Sequence, residues 1–94
     1  MQTERQHIID LLSEREMDAR ELSRILGIQE KEIYRHLTHI QKSVASQGKK
    51  LIIKPFQCLS CGYTFKNRKR FTPPGRCPKC KSTYLEKPSF KIYP

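Results

Sequence analysis

Cys58-Leu59-Ser60-Cys61 and Cys77-Pro78-Lys79-Cys80 are two C-x2-C pairs separated by 15 residues, and their four thiols are the side chains best placed to do chemistry. Two residues between cysteines let the backbone turn tightly enough to aim both sulfurs at one ion. Two such pairs complete a tetrahedral Zn²⁺ site with bonds of about 2.3 Å. Gly62 follows the first pair directly and supplies the backbone freedom that turn needs. Lys81 holds the matching place after the second pair, which leaves room for a different turn there. A site closed by four sulfurs has no open position for water or substrate, so the chemistry it implies is scaffolding. A ribbon of about 25 residues with Tyr63, Phe65, Phe71 and Tyr84 as its apolar side chains cannot fold unaided. Metal binding, on the order of 10 to 16 kcal/mol, must hold it together.

Those sulfurs sit in a chain of 94 residues, enough for one compact domain or one domain with a small appendage. Elaborate catalytic apparatus has little room at that size, and the expectation is that the protein is not an enzyme. No apolar run approaches the roughly 20 residues of a bilayer span, and the opening MQTERQHIIDLLSERE lacks the uncharged core of a signal peptide. The expected location is the cytoplasm, away from membranes, where reducing conditions favour metal ligation over a disulfide frame.

Charge divides the chain in two. Residues 1–46 carry seven Lys/Arg against eight Asp/Glu, a net of −1, whereas residues 47–94 carry twelve against Glu86 alone, a net of +11. Four thiolates on one Zn²⁺ lower that second figure to about +9. Such a lobe attracts polyanions by releasing their counterions, and nucleic acid, double-stranded DNA foremost, is the expected partner. The run Lys66-Asn67-Arg68-Lys69-Arg70, followed by Arg76, Lys79 and Lys81, places cations on a tip made rigid by metal, suited to gripping phosphates without reading sequence.

The near-neutral half reads as three helices. Thr3 with Gln6 has the form of a capping box, opening a helix over about 3–13 with Ile8, Leu11 and Leu12 on one stripe and Ile9 on its flank. Asp18 with Glu21 repeats the pattern and opens a second helix over 19–26, with Leu22, Ile25 and Leu26 expected inside and Gly27 as its stop. A third helix over about 30–46 carries Ile33, Leu37, Ile40 and Val44, and ends before Gly48. His36 and His39 are expected to pack or to face solvent and not to bind metal.

Two short helices joined at Gly27 make a helix-turn-helix, which Ala19 to Ile40 (ARELSRILGIQEKEIYRHLTHI) resembles closely. Ser23 stands where that family often has alanine, and Ile28 is expected to plug the turn. Lys31, Tyr34, Arg35, Thr38, Gln41 and Lys42 then lie on the outer face of the third helix. In DNA-binding versions that face enters the major groove, so Tyr34, Arg35 and Thr38 are the preferred candidate readers. Lys66, Arg68, Lys69, Arg70 and Arg76 are the candidate backbone contacts. The near-neutral charge of this half and the acidic Glu30 and Glu32 favour the alternative of an ordinary solvated face.

Leu51-Ile52-Ile53-Lys54 and Phe90-Lys91-Ile92-Tyr93 bracket the cysteines as short β-prone segments able to pair antiparallel, with Pro55 and Pro88 at the junctions. The expected fold is therefore α+β: a winged helix-turn-helix of three helices plus a β-hairpin, with a small zinc ribbon inserted at the wing. Residues 1–54 form the winged-helix core, with a strand over about 50–54; residues 55–87 form the ribbon and 88–94 the return strand. KKLIIKPFQCLSC, CPKC and the closing Lys87-Pro88-Ser89-Phe90 carry a resemblance to archaeal predicted transcriptional regulators that join a helix-turn-helix to a rubredoxin-like zinc ribbon. The resemblance implies a DNA-binding transcriptional regulator. Two alternatives stand beside it: an adaptor that docks on proteins of the transcription machinery, and electron transfer through iron held by the same four sulfurs. Monomer and homodimer both remain open.

Overall fold

The computed structural model describes residues 3–66 and 68–94; Asn67, within the basic run, lies outside the described residues. Three helices come first: α1 (Glu4–Glu14), α2 (Ala19–Leu26) and α3 (Glu30–Ala45). Between α1 and α2 lies a short strand, β1 (Met17–Asp18), and after α3 come β2 (Lys50–Ile53), β3 (Phe56–Gln57), β4 (Thr64–Phe65) and β5 (Ser89–Tyr93).

Local chemistry sets the helix ends. At α1 the Gln6 amide donates to Thr3 Oγ1 at 3.1 Å, but the Gln6 side chain turns forward and donates to Asp10 at 3.0 Å, so only half of the expected capping box forms. At α2 the box is complete: the Glu21 amide donates to Asp18 at 2.8 Å and the Asp18 amide to Glu21 at 3.4 Å. Gly27, at φ 71°, ends α2 in the left-handed conformation that glycine tolerates best, and its amide donates to the Ser23 carbonyl at 2.8 Å. The Ser23 hydroxyl donates across the turn to the Ile28 carbonyl, a bond that alanine cannot make. Ile28 packs partly buried against the core.

The core lies where the three helices meet the sheet. Ile8 and Leu12 of α1, Leu22 of α2, and Ile33, Leu37, Ile40 and Val44 of α3 are fully buried, joined by Met17, Phe90 and Ile92 from the strands. Ile25 departs from the expected pattern: it is 45% exposed, because α2 buries only the stripe through Ala19 and Leu22.

β5 is the centre of a three-stranded antiparallel sheet ordered β1-β5-β2. Leu51 pairs with Ile92 and Ile53 with Phe90 on one side, and Met17 pairs with Phe90 on the other. A two-stranded pairing of 50–54 with 90–93 therefore underestimates the sheet, since β1 adds a third strand from the α1–α2 connection. The Ser89 hydroxyl donates to the Glu16 carboxylate and ties the start of β5 to that connection. Beyond β2 the chain leaves for the ribbon, whose own sheet is the β3–β4 pair. The molecule is correspondingly elongated, 46 × 29 × 19 Å.

Phe71 is the main correction to the expected ribbon core. It is buried at 7% exposure within the helical core and meets Phe90 edge-on, with ring centroids 5.8 Å apart. The ribbon keeps Phe56 stacked on Phe65 at 4.6 Å, with Tyr63 edge-on to Phe65 at 5.1 Å. Tyr63 and Tyr84 are 38% and 66% exposed, too open to count as core. The long connection between the cysteine pairs thus folds back and anchors in the helical domain.

That anchor generates a prediction. Phe71→Ala should destabilise the helical domain by roughly 3 kcal/mol, the usual cost of emptying an aromatic site in a core. Urea unfolding followed by helical circular dichroism checks this; a loss under 1 kcal/mol would show that Phe71 serves the ribbon alone.

Candidate metal centre and basic surface

Each cysteine pair sits in a tight backbone knuckle, and the two knuckles match bond for bond. The Gly62 amide donates to the Cys58 carbonyl at 2.9 Å, and the Lys81 amide to the Cys77 carbonyl at 2.9 Å. The Cys58 amide donates to Tyr63 and the Cys77 amide to Ser82, both at 2.8 Å. Gly62 turns at φ 79° and Lys81 at φ 66°, so the second turn copies the first instead of differing from it. Lysine bears a left-handed conformation that glycine adopts freely. The Ser60 and Ser82 hydroxyls meet at 2.8 Å and join the knuckles, while the Leu59 amide donates to the Tyr84 carbonyl at 2.9 Å.

All four Sγ atoms lie within 4.8 Å of one another. The Cys58–Cys80 and Cys61–Cys77 separations are both 3.6 Å. A tetrahedron with bonds of about 2.3 Å has sulfur–sulfur edges of about 3.8 Å, so the set fits one zinc ion. Disulfide sulfurs lie about 2.05 Å apart, and all four cysteines are free. Cys58 and Cys77 are buried while Cys61 and Cys80 are exposed, so an ion held by all four would lie at the ribbon's surface edge.

The thiols differ in how readily they ionise. Burial raises the Cys77 pKa, but the amides of Cys80 and Lys79 prevail and bring it down to about 7. At Cys58 burial again opposes ionisation, and the amides of Cys61 and Ser60 outweigh it, leaving the thiol below its usual range. Cys80 is favoured by the Ser82 amide, yet burial and the three neighbouring sulfurs push it up to about 12. The knuckles welcome the first negative charges and resist the last, which is the electrostatic character of a site completed by a cation.

The fold and site define a class: a four-thiolate zinc β-ribbon inserted between two strands of a small three-helix domain. Residues 3–52 match the family described as PF0610-like, N-terminal, and residues 55–93 match the PF0610 rubredoxin-like zinc beta-ribbon domain. The chain belongs to the PF0610-like family. It is similar to the solution NMR structure of protein PF0610 from Pyrococcus furiosus, at 41% identity and a TM-score of 0.82, over 97% of this chain and 89% of that one. No curated protein matches the chain.

The candidate nucleic-acid contacts fall in three places. On α3, Lys31, Arg35, Thr38, Gln41 and Lys42 are exposed, whereas Tyr34 is partly buried and packed against the core. Burial first, then Glu30 and Asp18, raise the Tyr34 pKa, so its hydroxyl stays protonated. The Thr38 hydroxyl donates to the Tyr34 carbonyl at 3.2 Å. His36 meets Glu4 at 3.3 Å, linking α3 to α1, and His39 is exposed. Arg76, Lys79 and Lys81 are exposed around the second knuckle.

Lys66, Arg68, Lys69 and Arg70 occupy the third place, which a linear reading misassigns. Because Phe71 is buried in the helical domain, the basic run lies beside α3 and not at a free tip. A cavity of about 300 Å³ is lined by Tyr34, Thr38 and Gln41 of α3 together with Lys69 and Arg70. Arg68 is fixed by donating to the Thr72 carbonyl from Nε at 3.3 Å and from its terminal nitrogen at 2.8 Å. The one signal in the sequence that marks this return is an aromatic residue placed directly after a basic run.

The knuckles yield two measurable outcomes. Gly62→Ala should weaken the zinc-bound fold by about 1 kcal/mol and Lys81→Gly should strengthen it by a similar amount, read as opposite shifts in chelator resistance. Zinc affinity should rise with pH between about 6 and 8, since the Cys80 thiol must give up its proton on binding. Chelation should also abolish amide protection in β3 and β4 while α1 to α3 persist.

Proposed function

We propose that the chain is a DNA-binding transcriptional regulator and not an enzyme, with the helical domain acting as a winged helix and the zinc ribbon as a rigid extension of its wing. In this reading α2, the turn at Gly27 and α3 are the helix-turn-helix. β2 and β5 are the wing strands, with the ribbon replacing the wing tip. Support comes from the complete Asp18–Glu21 capping box, the left-handed Gly27 between the two helices, and the sheet order with β5 central. Zinc closed in by four sulfurs offers no reaction site, and its role is to hold the knuckles in place. Thiols that must stay reduced suit a cytoplasmic protein.

The observation that carries the reading is the return of the basic run to α3. A helix drawn from a near-neutral half has little attraction for phosphates by itself. With Lys69 and Arg70 lining the same cavity as Tyr34, Thr38 and Gln41, the helix gains adjacent cations beyond its own Lys31, Arg35 and Lys42. Exposed Arg35 and Gln41 are then base-reading candidates, and the loop cations grip the backbone to set their register. Tyr34, being partly buried, serves more as a positioning element than as a reader.

An adaptor role has its own observation. Leu59 and Tyr84 are 50% and 66% exposed at the first knuckle and its partner segment, which are apolar groups suited to a protein partner in the transcription machinery. Leu59→Ser with Tyr84→Ser would abolish that docking and leave DNA affinity intact.

Titrating the zinc-loaded protein against duplex DNA at several salt concentrations tests the main reading. Lys69→Ala with Arg70→Ala should weaken binding to all sequences and reduce the salt slope by about 2, whereas Arg35→Ala should cost about 1 to 3 kcal/mol on a preferred site and relax its sequence preference. Unchanged affinity in both variants would refute it.

A further inference from the structure

We propose that the cavity of about 770 Å³ between β2, the returning basic loop and α3 binds a small organic anion with an apolar body, an aryl or alkyl phosphate or carboxylate. Its wall is largely apolar: Leu51, Ile52, Ile53, Pro55 and Phe71 line it, Ile52 at 37% exposure being the most open of the three strand residues and Leu51 and Phe71 showing only their edges. Its rim is cationic: Lys66, Arg68 and Lys69 border it, and no carboxylate does so among the described residues. The volume falls in the range of small-molecule sites, which combine apolar walls with a few convergent polar groups.

Duplex DNA does not account for this combination. Backbone phosphates need cations on an open surface and have no use for an apolar wall beside them. A ligand with both features places its charge among the three cations and its body against Ile52 and Pro55. Arg68 is already held by the Thr72 carbonyl, so part of the ordering needed for anion binding is complete before a ligand arrives. Burial and then the nearby Arg70 disfavour charge on Arg68, and an anion in the cavity would offset both. β2 is an edge strand of the sheet, and Gln41 of α3 completes the wall, so a bound anion would brace the loop against both elements. The site stands without the nucleic-acid reading, because nothing in it depends on DNA.

The test is an amide chemical-shift titration of the zinc-loaded full chain with phenyl phosphate, run beside inorganic phosphate and benzyl alcohol in the absence of DNA. Saturable shifts at Ile52, Ile53 and Phe71 are expected, with phenyl phosphate binding at least about tenfold more tightly than either control. Ile52→Trp sets an indole over the apolar wall, leaves every cation in place, and should weaken phenyl phosphate binding about tenfold or more. Lys66→Gln with Lys69→Gln, both at exposed positions, should weaken binding about tenfold or more even if the tryptophan variant folds poorly. Equal binding of inorganic phosphate would reduce the site to a charge patch and overturn the proposal. Equal binding of benzyl alcohol, or full affinity in a folded Ile52→Trp variant, would overturn it too. Failure to bind DNA in the salt titration leaves these outcomes untouched, so the two readings fail separately.

Discussion

Four sulfurs confined within 4.8 Å of one another force the chain from Cys58 to Cys80 to begin and end at one point. Everything between them becomes a closed loop, and everything outside them must accommodate a fixed exit and entry. The ribbon's own apolar contacts, chiefly Phe56 stacked on Phe65, are too few to impose such a constraint. The paired knuckles supply it by directing backbone amides at the sulfurs and repeating the same two backbone bonds at each end. That repetition explains why Lys81 tolerates a left-handed backbone: the bond from its amide to the Cys77 carbonyl fixes the turn, and an ion held by the four sulfurs would hold it more firmly still.

The insertion point is as informative as the insertion. The chain leaves the helical domain after Ile53 and returns at Ser89, and these two ends lie side by side because Ile53 pairs with Phe90. β5 is therefore the last strand in sequence and the central strand in space, with α1 packed on it and β1 and β2 on its flanks. Phe90 joins the two parts directly. It is fully buried, pairs with Met17 and Ile53, and receives Phe71 from the ribbon connection. A ribbon joined only through its two strands would hinge there; the Phe71–Phe90 contact gives it a third attachment and limits that freedom.

What was legible in the sequence follows from how local each signal is. The cysteine spacing announces zinc because two residues between ligands is a local geometric requirement, and the three helices announce themselves through caps and apolar stripes of the same local kind. Half of the Thr3 cap fails because Asp10, one turn on, competes for the Gln6 side chain. β1 escapes notice because two residues in a helix connection carry no alternation, and their strand character comes from β5, which lies more than 70 residues away in sequence. Ile25 fits a helical stripe, but no element covers that side of α2. Phe71 sits between the cysteine pairs and so reads as ribbon, whereas its burial is decided by Phe90, a contact no local pattern encodes.

The same non-local contact changes the meaning of the charge distribution. As a string, the chain separates a near-neutral helical half from a cationic ribbon half. Burying Phe71 removes that separation by drawing Lys66, Arg68, Lys69 and Arg70 back over α3 and β2. Lys31 and Arg35 of α3 share their helix with Glu30 and Glu32, which offset their charge, whereas Lys66, Arg68, Lys69 and Arg70 have no acidic residue in their own run. The metal therefore does more than keep a small ribbon folded. By fixing both ends of the connection it lets a single aromatic side chain decide where several positive charges lie, and the electrostatics of the helical face follow from a site built of sulfur on the other side of the junction.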